Sequence, residues 1–182
     1  EETRHGEERQ LSERTIELGA PIYHSVHGTG GFEAGNMVWI NQDTVAIGQS
    51  QTTNAAGIRQ VRTVLETFDV EVIEVPIFGS TESTGQTHLA LVFSMVGPEL
   101  ALVYSEAVPP EFLDTLHNYG IETISVPMRE QRNRATSTIV VNPKTVLLPS
   151  GNHAVRAALN QHNFHVIELG FREIRKAGGG LK

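Results

Sequence analysis

The sequence predicts a mixed α+β (α/β) fold built as a pseudo-symmetric ring of ββαβ units, and three observations predict it. Three stretches share one plan: a short apolar β-branched strand, a polar or proline turn, an amphipathic helix, then a second β-rich strand. Another apolar strand precedes each stretch across a tight turn. The whole unit recurs roughly every 45–55 residues, the spacing of repeat architectures, yet without the near-identical consensus of a stacked solenoid. A closed ring of like modules fits these facts best.

The elements follow in order. "EERQLSERTIELGAPIYHSV" supplies the helix and strand of an earlier unit whose hairpin is absent. "AGNMVWINQDTVAIG" pairs Met37–Ile40 with Val45–Gly48 across Asn41, Gln42 and Asp43. The first full stretch runs from Thr44 to Ile77, and Ile58, Val61, Leu65 and Phe68 fall at helical spacing within it. "HLALVFSMVGPELALVY" turns at Gly97-Pro98 and leads into the stretch Leu100–Met128, with Phe112, Leu113, Leu116 and Tyr119 on one helix face. "STIVVNPKTVLLP" turns at Asn142-Pro143-Lys144 and leads into Thr145–Phe171, where Val155, Ala158 and Leu159 make the stripe. Proline fixes φ and lacks the N–H a ladder needs, so both Pro-containing turns end a strand for a backbone reason. A further strand is expected after Phe171. The expectation is thus three whole units between two partial ones: a single domain over residues 1–182, cut at both ends. The opening "EETRHGEERQ" reads as the run-in to a helix already under way.

Composition narrows the function. Fourteen basic against twenty-one acidic residues give a net charge of -7. Nucleic-acid surfaces cluster Lys and Arg, so a nucleic-acid partner is not expected. The chain has no cysteine, hence no disulfide framework and no thiolate zinc site. No apolar run has the length of a membrane span and no signal-peptide pattern opens the chain, so the default expectation is a cytoplasmic protein without a membrane partner.

Particular residues then carry a resemblance. "GGFEAGNMVWI" resembles a Glu-Gly-Gly-Asp strand, and "IGQSQTTNAAGIRQV" a Gly-x-Ser-x-Arg-Thr-Asn-x-x-Gly turn and helix. "THLALVFSMVGPELALVY" resembles a His-Leu strand bearing a catalytic histidine, and the closing "AGGGLK" a glycine-rich loop just ahead of a catalytic cysteine. These motifs, in this order over nearly the whole chain, are those of the pentein superfamily of guanidine-modifying enzymes. It includes arginine deiminase, dimethylarginine dimethylaminohydrolase and the amidinotransferases, and is built as a five-unit αβ propeller. The resemblance implies a cofactor-free hydrolase of arginine metabolism, acting on the guanidinium carbon of arginine or a substituted arginine through a cysteine-amidino intermediate. The nucleophile is expected directly after Lys182, so the 182-residue chain would be inactive without it.

The resemblance assigns roles. Glu33 accepts the guanidinium N–H groups in a paired geometry. His88 protonates the departing amine and then activates water. Arg4 pairs with the substrate carboxylate through its planar fork. Asn36, Gly179 and Gly180 line the substrate, the glycines because they let backbone approach a planar guanidinium closely. Departures accompany the matches. His88-Leu89-Ala90 stands where arginine deiminases have His-x-Asp, Thr52 where the turn has its carboxylate-binding arginine, Asn36 for an aspartate and Ala34 for a glycine.

Two alternatives are amidino transfer, which uses the same residues, and a non-catalytic pentein binding module, which has no use for Glu33, His88 and the glycine loop together. The pairs His24/His27 and His162/His165 invite a metal reading. The first lies on an expected strand, where that spacing splits the side chains between faces, and the second spans a helix end with no third ligand placed by motif. No metal is expected. "HGTGGFEAG" lacks the spacing of a nucleotide loop. "RNRATS", Arg132 to Ser137, reads as a solvated loop, and Gly57 and Gly120 as backbone-geometry residues. The partner implied is a small guanidino compound. Oligomeric state is open, and the resemblance is compatible with a homodimer.

Overall fold

The computed structural model describes residues 6–78, 88–176 and 180–181. Three three-stranded sheets follow one another along the described chain. The first module is β1 (Met37–Trp39), β2 (Thr44–Gln49), α2 (Ala55–Glu66) and β3 (Glu71–Pro76). The second is β4 (Phe93–Gly97), β5 (Leu100–Val103), α3 (Pro110–Asn118) and β6 (Glu122–Ser125). The third is β7 (Ile139–Asn142), β8 (Thr145–Pro149), α5 (His153–Gln161) and β9 (His165–Leu169). Helix α1 (Glu7–Glu17) precedes them, α4 (Met128–Arg132) joins the second to the third, and α6 (Arg172–Lys176) follows.

In every module the middle strand pairs antiparallel with the strand before it and parallel with the strand after the helix. That topology explains the composition of the middle strands. A strand covered on both faces reads as a continuous apolar run, and all four residues of β5 are buried. In β2 the alternation still shows. Val45 and Ile47 pack with Ile58, Val70 and Val72 beneath α2, whereas Ala46 faces the larger core shared by all three modules. Leu102, Leu116, Leu148 and Leu159 are fully buried in that shared core. Truncating any of them to alanine would cost about 2–5 kcal/mol.

Local chemistry sets the helix ends. The Asn54 side chain accepts the Gly57 N–H at 2.9 Å and so caps α2, and Pro110 opens α3 with φ already helical. Each helix returns to its third strand through one left-handed residue: Asp69, Gly120 and Asn163, with φ of 58, 73 and 61°. Asparagine, aspartate and glycine tolerate that region best.

Several sequence expectations are corrected. Phe68 lies beyond α2 and is 53% exposed, because the helix stops at Glu66 and the turn points the ring outward. Tyr119 likewise follows α3 and belongs to its end, not its buried stripe. Residues 20–27 hold no regular strand. After Phe171 the chain forms α6, not a strand. The segment read as solvated is a buried polar cluster: Ala135, Thr136 and Ser137 are wholly inaccessible. Among the described residues no helix is long and apolar enough to cross a membrane.

Candidate active site

Glu33 and His88 occupy like positions in successive modules. Glu33 is extended backbone opening the 3-10 turn Ala34–Asn36 that feeds β1. His88 is extended backbone opening the 3-10 turn Leu89–Leu91 that feeds β4. The expectation that His88 begins a strand is corrected, since the turn intervenes and the strand starts at Phe93. Packing one module against the next brings the two turns together. His88 Nε2 then lies 2.7 Å from Glu33 Oε2. The imidazole side chain is 24% and the carboxylate 33% exposed, so both are sheltered yet reachable.

Two glycines let the turns close. A Cβ on Gly35 would stand 3.0 Å from Cγ of His88, so the imidazole rests directly on backbone. A Cβ on Gly48, in β2, would fall 2.7 Å from Asn36 Oδ1 and 2.8 Å from Leu89 Cβ. Real side chains do not pack that closely, so only glycine fits at this position of the strand.

Asn36 is fully buried under the site. Its Oδ1 accepts the Leu89 N–H at 2.9 Å, and its Nδ2 donates to Ser50 Oγ at 3.1 Å and to Thr53 Oγ1 at 2.9 Å. The Thr53 hydroxyl oxygen also accepts the Glu33 N–H at 2.9 Å. Thr52 sits on the same turn, its hydroxyl 3.3 Å from that of Ser50. The sequence pointed Asn36 at substrate, whereas its amide is engaged by protein groups.

At the other end of the chain, the half-buried Gly180 leads to Leu181, whose N–H donates to Ser137 Oγ at 2.8 Å. The buried cluster around Ser137 grips the His88 turn as well. Thr136 Oγ1 and Gln131 Nε2 both donate to the Leu91 carbonyl oxygen. The tail is therefore tied to the segment that holds the histidine's own turn. Arg4 and Gly179 lie outside the described residues. Thr136 and Ser137 were missed from sequence because flanking arginines at 132 and 134 made the segment ahead of the third module look solvated, and Thr53 and Gln131 were given no role.

The histidine pairs resolve differently. His24 and His27 lie on irregular chain with ring centroids 5.6 Å apart, not on opposite strand faces. Gln60 Oε1 lies 3.1 Å from His24 Nε2 and accepts the His27 N–H. His162 Nε2 lies 3.6 Å from Glu122 Oε1. Among the described residues no group of three or more His, Cys, Asp or Glu is placed to hold a metal ion.

Comparison with known proteins bears on this geometry. The profile of the family described as eukaryotic N,N-dimethylarginine dimethylhydrolase matches residues 4–182. The N(G),N(G)-dimethylarginine dimethylaminohydrolase of Pseudomonas aeruginosa is 29% identical over 99% of this chain and 65% of its own. An uncharacterized Bacillus subtilis protein, YkgA, is 29% identical over 82% of this chain and 49% of its own. The chain thus spans about half to two thirds of the length of these curated relatives. A cysteine-to-serine variant of the Pseudomonas aeruginosa enzyme, solved in complex with citrulline, superposes with a TM-score of 0.79 at 27% identity, covering 100% of this chain and 65% of that one.

Proposed function

The chain belongs to the N,N-dimethylarginine dimethylhydrolase family, within the pentein superfamily of guanidine-modifying enzymes, and from that premise we propose that it is the core of a hydrolase acting on the guanidinium carbon of arginine or an N-substituted arginine. The single observation that carries the proposal is the contact of Glu33 with His88 at 2.7 Å, made by two turns from different modules. An acid and an imidazole held together, each partly exposed, are what this chemistry needs. The citrulline found with the Pseudomonas aeruginosa relative supports an arginine-type substrate.

The steps combine the groups present with the cysteine nucleophile that the family resemblance implies. A guanidinium is a poor electrophile, and carboxylate oxygens aligned with its N–H groups hold it and keep its charge in place. A carboxylate offers about four acceptor sites, so Glu33 orients the imidazole and receives guanidinium N–H at once. A thiolate, proposed on a cysteine directly after Lys182, attacks the guanidinium carbon. His88, as imidazolium, gives its proton to the departing amine, and the C–N bond breaks to leave an amidino-thioether. Neutral His88 next takes a proton from water, the resulting hydroxide adds to the same carbon, and the thiolate leaves as the ureido product forms. Glu33 stabilises the imidazolium in both half-reactions, as a carboxylate does beside a general-base histidine. Ser137, by holding the Leu181 N–H, sets where the tail enters the site. Arg4 and Gly179 keep their proposed roles on the substrate carboxylate and guanidinium, beside Gly180.

The test is turnover of the full polypeptide with arginine, N-methylated arginines and agmatine, following citrulline and the released amine. Citrulline formation from an arginine, abolished by Glu33→Gln, is the expected result. Amidino transfer to an added amine without net hydrolysis would assign the chain to the transferases. No turnover and no covalent adduct with any of these compounds would leave a binding module.

A further inference from the structure

We propose that Asn36 is a positioning residue that sets the distance between Glu33 and His88, an inference that rests on the hydrolase reading above. A side-chain amide has one oxygen acceptor and two N–H donors, and here each of these three has a partner in a different stretch of chain or on a different residue. Oδ1 takes the Leu89 N–H, the amide next to His88. One N–H goes to Ser50 and the other to Thr53. Thr53 then takes the Glu33 N–H. A path of three hydrogen bonds, from Leu89 through Asn36 and Thr53 to Glu33, therefore joins the backbone of the imidazole to the backbone of the acid.

Among the described residues no strand pairing links the two turns, which are 55 residues apart in sequence by their first members, Glu33 and His88. β1 and β4 belong to separate sheets. Their relative position is thus a matter of packing, and packing alone permits small slides between apolar surfaces. Directional hydrogen bonds at a wholly buried amide do not. Gly48 completes the device. Its missing side chain makes room for both Asn36 Oδ1 and Leu89 Cβ. Nothing in this arrangement places Asn36 against substrate. Its influence on catalysis passes through the two residues it aligns.

The experiment compares Asn36→Ala with Asn152→Ala in the full polypeptide. Asn152 is an equally buried asparagine, donating to the Pro149 carbonyl oxygen at 2.8 Å and paired with Asn133, and it makes no hydrogen bond to Glu33, His88 or the residues that join their turns. The two variants should lose similar thermal stability. Misplacing catalytic groups by about an ångström lowers rate about a hundredfold. Asn36→Ala should therefore lower kcat by about that factor with KM changed less than about threefold, whereas Asn152→Ala keeps wild-type kcat. Thr53→Val, which removes the next link while leaving a similar volume, should lower kcat in the same sense and serves if Asn36→Ala does not fold. Equal kcat in all the folded variants would overturn the proposal. Amide hydrogen exchange at Leu89 gives a readout independent of turnover. It should quicken selectively in Asn36→Ala, and unchanged protection there would overturn the proposal too. If wild-type protein turns over none of the guanidines, the hydrolase reading fails, while the exchange result still decides whether Asn36 joins the turns.

Discussion

At Gly35 a single methyl group would meet the imidazole of His88, with Cγ at 3.0 Å and Cβ and Nδ1 at 3.3 Å. Contacts that short must be relieved by moving one partner, and the ring is the softer one. Gly35 is not in the left-handed region, so alanine there carries no backbone penalty and the substitution isolates the contact. Gly35→Ala is expected to leave the fold intact by circular dichroism. It should displace the ring from Glu33 and lower turnover about tenfold or more, given how steeply rate falls with misalignment. Unaltered kcat would show that the ring position is not critical.

Among the elements, α5 shows how a helix end is completed from a distance. Asn152 precedes it without a side-chain cap. The carboxylate of Glu130, on α4, does the capping: it accepts the Ala154 N–H at 2.8 Å and the Val155 N–H at 3.0 Å. Two otherwise orphaned donors are satisfied, and negative charge sits at the positive end of the helix dipole. Glu130 is 2% exposed, so deleting it strands buried N–H groups. Glu130→Ala should destabilise the protein by about 1–3 kcal/mol, read as a lower urea midpoint with unchanged slope. No sequence pattern announces this cap, because its donors and acceptor lie 24 and 25 residues apart. Local signals fared better. The strand-turn-helix-strand order and the turn at Gly97-Pro98 both act within a few residues and were legible. The helix stripes were legible until each helix ended, where Phe68 and Tyr119 continued the spacing outside the helix. Glu33 and His88 could be named from motif, but their meeting could not, since it depends on how modules pack. Thr53 lay inside the turn motif and Ser137 in a segment read as solvated, yet neither was given a role; a lone hydroxyl residue acquires its role only from the backbone groups that come to face it.

Across the whole molecule, one joint recurs between modules. The residue before each left-handed turn reaches back to the preceding unit. Phe68 packs edge-to-face on Tyr23 at 5.4 Å between centroids, Tyr119 donates its hydroxyl to Glu71 at 2.6 Å, and His162 lies 3.6 Å from Glu122. Glu71 and Glu122 begin the third strands of their modules. The hydrogen bond to Glu71, followed by burial, holds the Tyr119 phenol above its usual pKa of 10.0, so it stays a donor. The joint keeps its place while its chemistry changes, as expected of duplicated units that diverged. Inside these joints the modules converge on the turns that carry Glu33 and His88, so function in this account is a product of module packing. The most direct test is the rate of citrulline release by the full polypeptide before and after His88→Ala, with folding checked by thermal unfolding. A loss of about a hundredfold or more in kcat at unchanged stability is the predicted result, the range expected for a lost general acid–base. Wild-type kcat in a folded His88→Ala variant would contradict the account.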